Sequence, residues 1–307
     1  MRQVWWNGKL IPESEARISI YDSALIFGDT VFEMTRSFNR VHFKLREHLE
    51  RLWKSAKYVR IDIPYSMDSI EQACNDIALI NQSEFAENDE HRLMINVTRG
   101  LLPIYEQTGN PGTNVIISDF PLRWTTKGMG KLFDTGINCV IPSQRQIPAT
   151  LLEPKVKNRC RMHYKMASLE VGDKGWPLLL DPDGFISEGT GWNFFAIDNN
   201  IIFTPEGRNV LRGISRDYIF SIENCYVQDI EPYDIYNADE AFITGTPFCM
   251  LPVTSLNGIP IGDGKIGKWF NSILSKWSNL VGVDIKQQIQ EWDEWVSISE
   301  YRADLQM

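Results

Sequence analysis

The stretch Asp183-Gly-Phe-Ile-Ser-Glu-Gly-Thr-Gly-Trp-Asn-Phe-Phe195 sets one acid, Glu188, among glycines and a threonine, with Asn193 close behind. Glycine lets backbone approach a flat ligand closely, so Glu188 stands where a carboxylate could meet a bound ring. The plain alternative is a solvated turn residue, because Glu is rarely buried without a partner. A second chemistry is anion binding. Gly213-Ile214-Ser215-Arg216-Asp217 opens a predicted helix; N–H groups at a helix start favour anions, and the Ser215 hydroxyl adds a donor. An ordinary helix cap is the competing explanation there. Arg51 lies on the basic side of another predicted helix, either solvated or turned inward to meet an anion. A guanidinium fork suits the second role because it can bind phosphate bidentately.

These groups need elements to hold them. Residues 4–20 read as a hairpin about Asn7-Gly8. Val31 to Phe38 alternates toward a strand, with Val41-His-Phe as its partner. Residues 45–58 read as a helix with Leu45, Leu49, Leu52 and Ala56 on one face, and Arg46, Arg51, Lys54 and Lys57 on a basic side. A second helix follows at 66–80, capped by Ser66 or Asp68. Residues 91–99 and 114–120 are predicted strands, separated by a long loop over 101–113. Beyond a strand at 137–142 and a loop at 143–153, residues 154–170 pass from a short strand into a helix. Met162, Met166 and Leu169 are predicted to form its buried face. Ala238 to Thr246 is a strand running into a Gly-flanked turn, and residues 268–280 form the last helix. The tail beyond Glu291 is expected to be surface or disordered.

The chain has 307 residues, enough for two domains and a large core. Its 43% hydrophobic and 23% charged content fits a globular protein, and a net charge of −9 argues against a nucleic-acid partner. No apolar run approaches the ~18 residues of a spanning helix, and the N-terminus shows no signal-peptide core. The cysteines Cys74, Cys139, Cys160, Cys225 and Cys249 are scattered, as expected of reduced thiols in the cytoplasm. The histidines form no ligand-spaced pair, so no metal is expected.

Read in order, Glu188-Gly-Thr-Gly-Trp-Asn193-Phe-Phe195, Ile202-Phe-Thr204 and Leu211-Arg-Gly213-Ile214-Ser-Arg216 resemble the signature of the class IV aminotransferases, pyridoxal-phosphate enzymes of fold type IV. The resemblance implies a two-domain α/β (α+β) fold. A small N-terminal domain would span 1–122, a linker 123–131, and a large cofactor-binding domain with a β-barrel-like core 132–307. It also implies pyridoxal 5′-phosphate as cofactor. Lys157, followed by Asn158-Arg-Cys-Arg161, is then the residue that forms the Schiff base and shuttles the Cα proton, with Lys155 in reserve. Glu188 pairs with the ring nitrogen. The run from Arg46 to Lys57 resembles the branched-chain aminotransferase segment whose second arginine holds the phosphate, which implicates Arg51. Leu211, Gly213, Ile214, Ser215, Gly245 and Thr246 complete the implied cofactor contacts.

For the substrate, Val31-Phe32-Glu33-Met-Thr-Arg36 parallels the branched-chain segment that lines the side-chain pocket. Phe32 would face the substrate, and Arg36 would take a second carboxylate such as that of 2-oxoglutarate. Arg92 could assist, although strand alternation leaves its direction open; Thr246 and Pro247 would border the substrate too. Two positions depart from the relatives. Met162 stands where branched-chain enzymes place a tyrosine that bonds the cofactor, and Arg161 is offered as a substitute. Ile104-Tyr-Glu106 stands where D-specific enzymes carry an Arg-x-His trap. The expectation is therefore an L-amino-acid aminotransferase with an apolar, branched-chain donor, acting on small molecules as a homodimer. The alternatives are a D-amino acid or (R)-amine aminotransferase and an aminodeoxychorismate lyase-type enzyme.

Overall fold

Leu93, Ile95 and Val97, and again Val115 and Ile117, recur at every second position, the period that turns one face of a sheet inward. The computed structural model describes residues 1–109 and 111–293, and it divides into two compact units. Unit 1 comprises residues 1–122 with the returning segment Val156–Arg161; unit 2 comprises 123–155 and the chain from Met162 onward.

Unit 1 contains strands β1 (Gln3–Trp6), β2 (Lys9–Pro12), β3 (Thr30–Met34), β4 (Ser37–Phe38), β5 (Val41–His42), β6 (His91–Thr98) and β7 (Asn114–Pro121). Its helices are α1 (Ser23–Phe27), α2 (Leu45–Val59) and α3 (Met67–Asn81). Five strands form one antiparallel sheet in the order β2-β1-β7-β6-β3. Helix α2 lies against β3, and α3 against β7 and β1. Leu49, Leu52, Ile70 and Ile77 of the helices meet Leu93, Ile95, Val97 and Ile117 of the sheet in one core. Each such side chain contributes roughly 1.5–3 kcal/mol by leaving water. Helix α3 starts where Ser66 accepts a bond from Ser69 N at 3.1 Å.

The second face of this sheet is different in kind. The register pairs Phe32 with Asn96 and Met34 with Met94, so all four stand on it, and alternation puts Arg92 there as well. The segment Val156–Arg161 runs along the outer edge of β3. Phe32 N donates to Lys157 O at 3.0 Å, Arg159 N donates to Thr30 O at 3.1 Å, and Val31 bridges Asn158. Val156 joins the apolar core.

Unit 2 contains α4 (Arg123–Thr126), α5 (Leu132–Thr135), α6 (Met162–Val171), α7 (Ile214–Ile222), α8 (Pro232–Tyr236) and α9 (Lys268–Val281), with residues 285–293 helical after it. Its strands are β8 (Ile137–Val140), β9 (Trp176–Leu180), β10 (Ile186–Gly189), β11 (Asn193–Asp198), β12 (Ile201–Pro205), β13 (Cys225–Gln228), β14 (Glu240–Gly245), β15 (Cys249–Leu256) and β16 (Ile259–Pro260). The sheet runs β10-β9-β8-β15-β14-β11-β12-β13, and β10 also pairs with β11. That second pairing closes the sheet into the barrel that fold type IV implies. Residues 123–131, expected as a connecting segment, are built into this unit: Arg123 and Thr126 are buried, and Gly128 N and Gly130 N each donate to the Asp293 carboxylate at 2.7 Å.

Helix α6 corrects one expectation. Met162, Met166 and Leu169 are exposed, at 73%, 49% and 61%, and the helix buries Ala167 and Val171 instead. Apolar spacing of three and four identifies residues that share a helix face, but not which way that face turns. The tail beyond Glu291 lies outside the described residues except for Trp292 and Asp293, of which Trp292 is buried.

Candidate active site

In unit 2 the barrel closure decides where Glu188 points. It stands opposite Asn193 in the short β10–β11 pairing, and Asn193 stands opposite Thr244 on β14. Three adjacent strands thus carry Glu188, Asn193 and Thr244 in one row. Glu188 is only 4% exposed, and four groups of this unit donate hydrogen bonds to its carboxylate. Oε1 accepts from the Tyr164 hydroxyl at 2.7 Å and Gln146 Nε2 at 3.1 Å. Oε2 accepts from Leu211 N at 2.9 Å and Asn193 Nδ2 at 3.2 Å. Hydrogen bonds of this kind fix the plane of a buried carboxylate. Gln146 is itself held, since His163 Nε2 lies 3.1 Å from its Oε1 and its Nε2 also meets the Tyr164 oxygen at 2.9 Å.

The anion-binding candidates adjoin this row. Asn193 Nδ2 donates to Leu211 O at 2.9 Å, which holds the chain just ahead of Gly213. Gly213 is the N-cap of α7 and has no room for a side chain, since a Cβ there would lie 2.1 Å from Asn193 Oδ1. Ile214 and Ser215 follow in the first turn, where amides lack intrahelical partners, and no side chain caps that end. Ser215 is buried, as is Arg216, whose Nη2 donates to Pro205 O at 3.1 Å. Burial depresses the Arg216 pKa. At the end of β14, Gly245-Thr246-Pro247 makes a turn, and a Cβ on Gly245 would lie 2.7 Å from the Phe248 ring. The Thr244 hydroxyl is enclosed and makes no hydrogen bond among the described residues. Lys155 lies in this unit, engaged by Glu153 Oε1 at 2.8 Å and Arg208 O at 3.2 Å.

In unit 1 the backbone of Lys157 is fixed by Phe32 N on one side and Ser55 Oγ on the other, and its Nζ lies 4.8 Å from the Phe32 ring centre. Arg51 is not aimed at this ring. Its Nε and Nη2 donate to the two oxygens of Glu33 at 2.7 and 2.8 Å, and His48 Nδ1 lies 2.7 Å from Glu33 Oε2. Glu33 has no exposure at all. Burial alone would raise its carboxyl, but the Arg51 charge, then His48, and the hydrogen bonds from both hold it at about 2. For His48, burial outweighs the pull of Glu33 and lowers the pKa, so at neutral pH the ring donates as a neutral imidazole. Glu33 and Phe32 are consecutive on a strand and face opposite ways. Arg51 therefore lies on the helix side of the sheet, and Phe32 and Arg92 on the other. Arg36 is buried, with Nε donating to Ser37 O at 3.2 Å and its guanidinium 3.8 Å over the Phe38 ring.

Tyr164, Gln146, Glu33 and Arg159 were missed as site candidates. The only sequence signal for Tyr164 was its phase on α6, opposite the methionine stripe. Gln146 lies in a loop without periodicity. Among the described residues no three His, Cys, Asp or Glu side chains are placed to hold a metal ion, and no helix is long and apolar enough to cross a membrane.

Comparison with known proteins bears on this arrangement. Residues 30–256 match the family described as amino-transferase class IV. A putative branched-chain-amino-acid aminotransferase of Methanocaldococcus jannaschii is 31% identical over 290 residues, covering 91% of this chain and 96% of that protein. A D-alanine aminotransferase of Bacillus licheniformis is 28% identical, covering 91% and 97%. The crystal structure of the Escherichia coli branched-chain amino acid aminotransferase superposes with a TM-score of 0.80 at 28% identity, over 91% of this chain and 94% of that one. With the family signature spanning the barrel strands that hold Glu188, the chain belongs to the class IV aminotransferases.

Proposed function

We propose that this enzyme moves an amino group from an L-amino acid with an apolar, branched side chain to a 2-oxo acid such as 2-oxoglutarate, using pyridoxal 5′-phosphate. The observation that carries this reading is Glu188, a buried carboxylate oriented by four donors beside a glycine-opened helix start. The donor set fits the cofactor. A fixed carboxylate matches a protonated ring nitrogen; the amides of Ile214 and Ser215, the Ser215 hydroxyl and the Gly245-Thr246 turn match a phosphate. Gly213, crowded by Asn193, and the unbonded Thr244 hydroxyl support the same assignment. Leu211 takes part through its N–H, which holds Glu188.

When bound, the cofactor supplies an aldehyde that takes up the amino group and a ring that accepts the electron pair left by the Cα proton. Lys157 Nζ is assigned the proton: it would take it from the substrate Cα and hand it to the carbon of the cofactor's former aldehyde, and the reverse shift would serve the 2-oxo acid. Glu188 keeps the ring nitrogen protonated, and Arg51, itself held by Glu33, lends positive charge toward the phosphate. Phe32, Thr246 and Pro247 border the substrate, while Arg36 and Arg92 take a second carboxylate. We assign a homodimer as well, because Leu25, Ile26 and Phe27 of α1 are large, apolar and exposed, as at protein interfaces. A cytoplasmic location suits its free cysteines.

The test is a half-reaction screen: single L- and D-amino acids are added to the holoenzyme and the cofactor absorbance is followed. L-leucine, L-isoleucine, L-valine and L-glutamate should bleach the aldehyde band. Conversion by D-alanine alone selects the second reading, a D-amino acid enzyme, which the Bacillus licheniformis relative favours. A protein that stays colourless with added pyridoxal phosphate rejects both.

A further inference from the structure

Arg159 has no place in the roles above, yet it occupies the surface where a substrate side chain was expected. Its guanidinium lies 3.6 Å over the Phe32 ring. Nε and Nη2 donate to Asn96 Oδ1 at 3.3 and 2.9 Å, and Nη2 reaches Met94 Sδ at 3.2 Å. Lys157, Arg159 and Arg161 all approach this one ring, with Lys157 Nζ 4.8 Å and the Arg161 guanidinium 6.0 Å from its centre. One face of the Phe32 ring is therefore covered by a cation.

Arg92 stands on the same sheet face. Its Nη2 approaches Met34 Sδ at 3.7 Å, while Nε and Nη1 are enclosed and make no hydrogen bond among the described residues. Met34 and Met94 are register partners, so Arg92 and Arg159 reach one thioether pair from two sides. Neither meets a carboxylate among the described residues. Burial, then the nearby Arg36 charge, pushes the Arg92 pKa down to about 9; burial, then Arg161, pushes Arg159 down to about 10. Both stay cationic at neutral pH. Arg92 is buried and Arg159 half-buried; a cation taken out of water without a counter-charge is costly, and a bound anion would relieve that cost.

We propose that Arg159 is a specificity-determining residue which, together with Arg92, grips the side-chain carboxylate of the dicarboxylic partner substrate over the Met34–Met94 pair. This rests on the aminotransferase reading and adds to it a residue that chooses between the two substrates. An apolar donor uses the same space against the thioethers and the aliphatic stems of the arginines. Asn96 is the side chain that holds the Arg159 fork in place.

The experiment titrates holoenzyme with two unreactive acids, glutarate and 4-methylpentanoate, by calorimetry. Wild type should prefer glutarate, and Arg159→Met should lower the glutarate-to-4-methylpentanoate affinity ratio at least about tenfold, the scale of one charge-assisted contact. KM for 2-oxoglutarate should rise in step, more than kcat falls. If the methionine variant does not fold, Arg159→Gln, whose amide can still bond Asn96, takes its place with the same expectation. A ratio that stays within about twofold of wild type overturns the proposal, as does equal affinity for the two acids in wild type. Failure of the amino-acid screen would instead reject the underlying function. The two failures are thus read separately.

Discussion

Two donors on each oxygen of Glu188 hold a buried carboxylate at a fixed place and in a fixed plane. Tyr164→Phe deletes the shortest of these bonds and deprives Gln146 Nε2 of an acceptor. Folding stability should fall by about 1–2 kcal/mol, the usual effect of one buried partner lost. If Glu188 tunes the ring, kcat should fall roughly tenfold in this variant, equivalent to about 1.4 kcal/mol of transition-state stabilisation, with KM changed less. Steady-state kinetics on the loaded enzyme reads both, and an unchanged kcat removes Tyr164 from the tuning of Glu188. In unit 1 a second buried carboxylate does different work. Glu33→Gln keeps the volume but removes the buried carboxylate that Arg51 and His48 both hold, which should cost on the order of 3–5 kcal/mol in urea denaturation. Glu188, Gly213 and Ser215 were legible because they lie within one short run of sequence with its own turn chemistry. Tyr164 and Gln146 were not, because what makes them site residues is a meeting of distant segments. Reading the methionines of α6 as its inward face also turned Tyr164 the wrong way.

Among the elements, the row Glu188–Asn193–Thr244 exists because β10, β11 and β14 are neighbours in the barrel, and α7 begins where Gly213 passes beneath Asn193. Gly213→Ala would put a methyl group 2.1 Å from Asn193 Oδ1. The backbone there is already extended at φ −70°, so the penalty is crowding and not dihedral strain. Displacing Asn193 also withdraws a bond from Glu188, so the mutation should cost about 1–3 kcal/mol, as overpacking does, and weaken pyridoxal phosphate binding. Thermal unfolding with and without added cofactor separates the two effects. A smaller loss of Tm with saturating cofactor than without it would contradict the expected weakening. Strand alternation made the unit 1 sheet readable: β7 buries every second residue, β6 does so from Leu93 to Val97, and α2 shows its apolar stripe plainly. The barrel was readable only through family resemblance. Strand β10 is four residues long with a register shift against β9, too short to declare its second pairing with β11 by pattern.

At the scale of the whole molecule, length and composition pointed to two bodies, and the structure divides into two units. What a linear reading hides is the return of Val156–Arg161 to the edge of β3, since backbone pairing between residues so far apart leaves no local signal. That return brings Lys157 and Arg159 to Phe32. Unit 1 carries three acid-sensitive groups: Glu33, held at about 2, His42, pushed down to about 3 by burial and by His91 and His48, and His48, lowered by burial. The signs run the same way. Native Glu33 stays ionised while the unfolded chain takes up a proton below pH 4.5, so its stabilisation is full above that value and fades as pH falls toward 2. Native His42 stays neutral while the unfolded chain protonates below pH 6.5, so stability starts to fall there and continues toward pH 3. The His42 ring is only half-buried, which screens part of its share. The Glu33 share is on the order of 3 kcal/mol at neutral pH. Urea midpoints measured from pH 7 to pH 3 should therefore decline in two stages, the first from His42 and His48 and the second from Glu33. His42→Leu should shrink the first stage to the His48 share and leave the second, whereas midpoints constant between pH 6.5 and 4.5 in wild type would show that neither imidazole is buried in its neutral form.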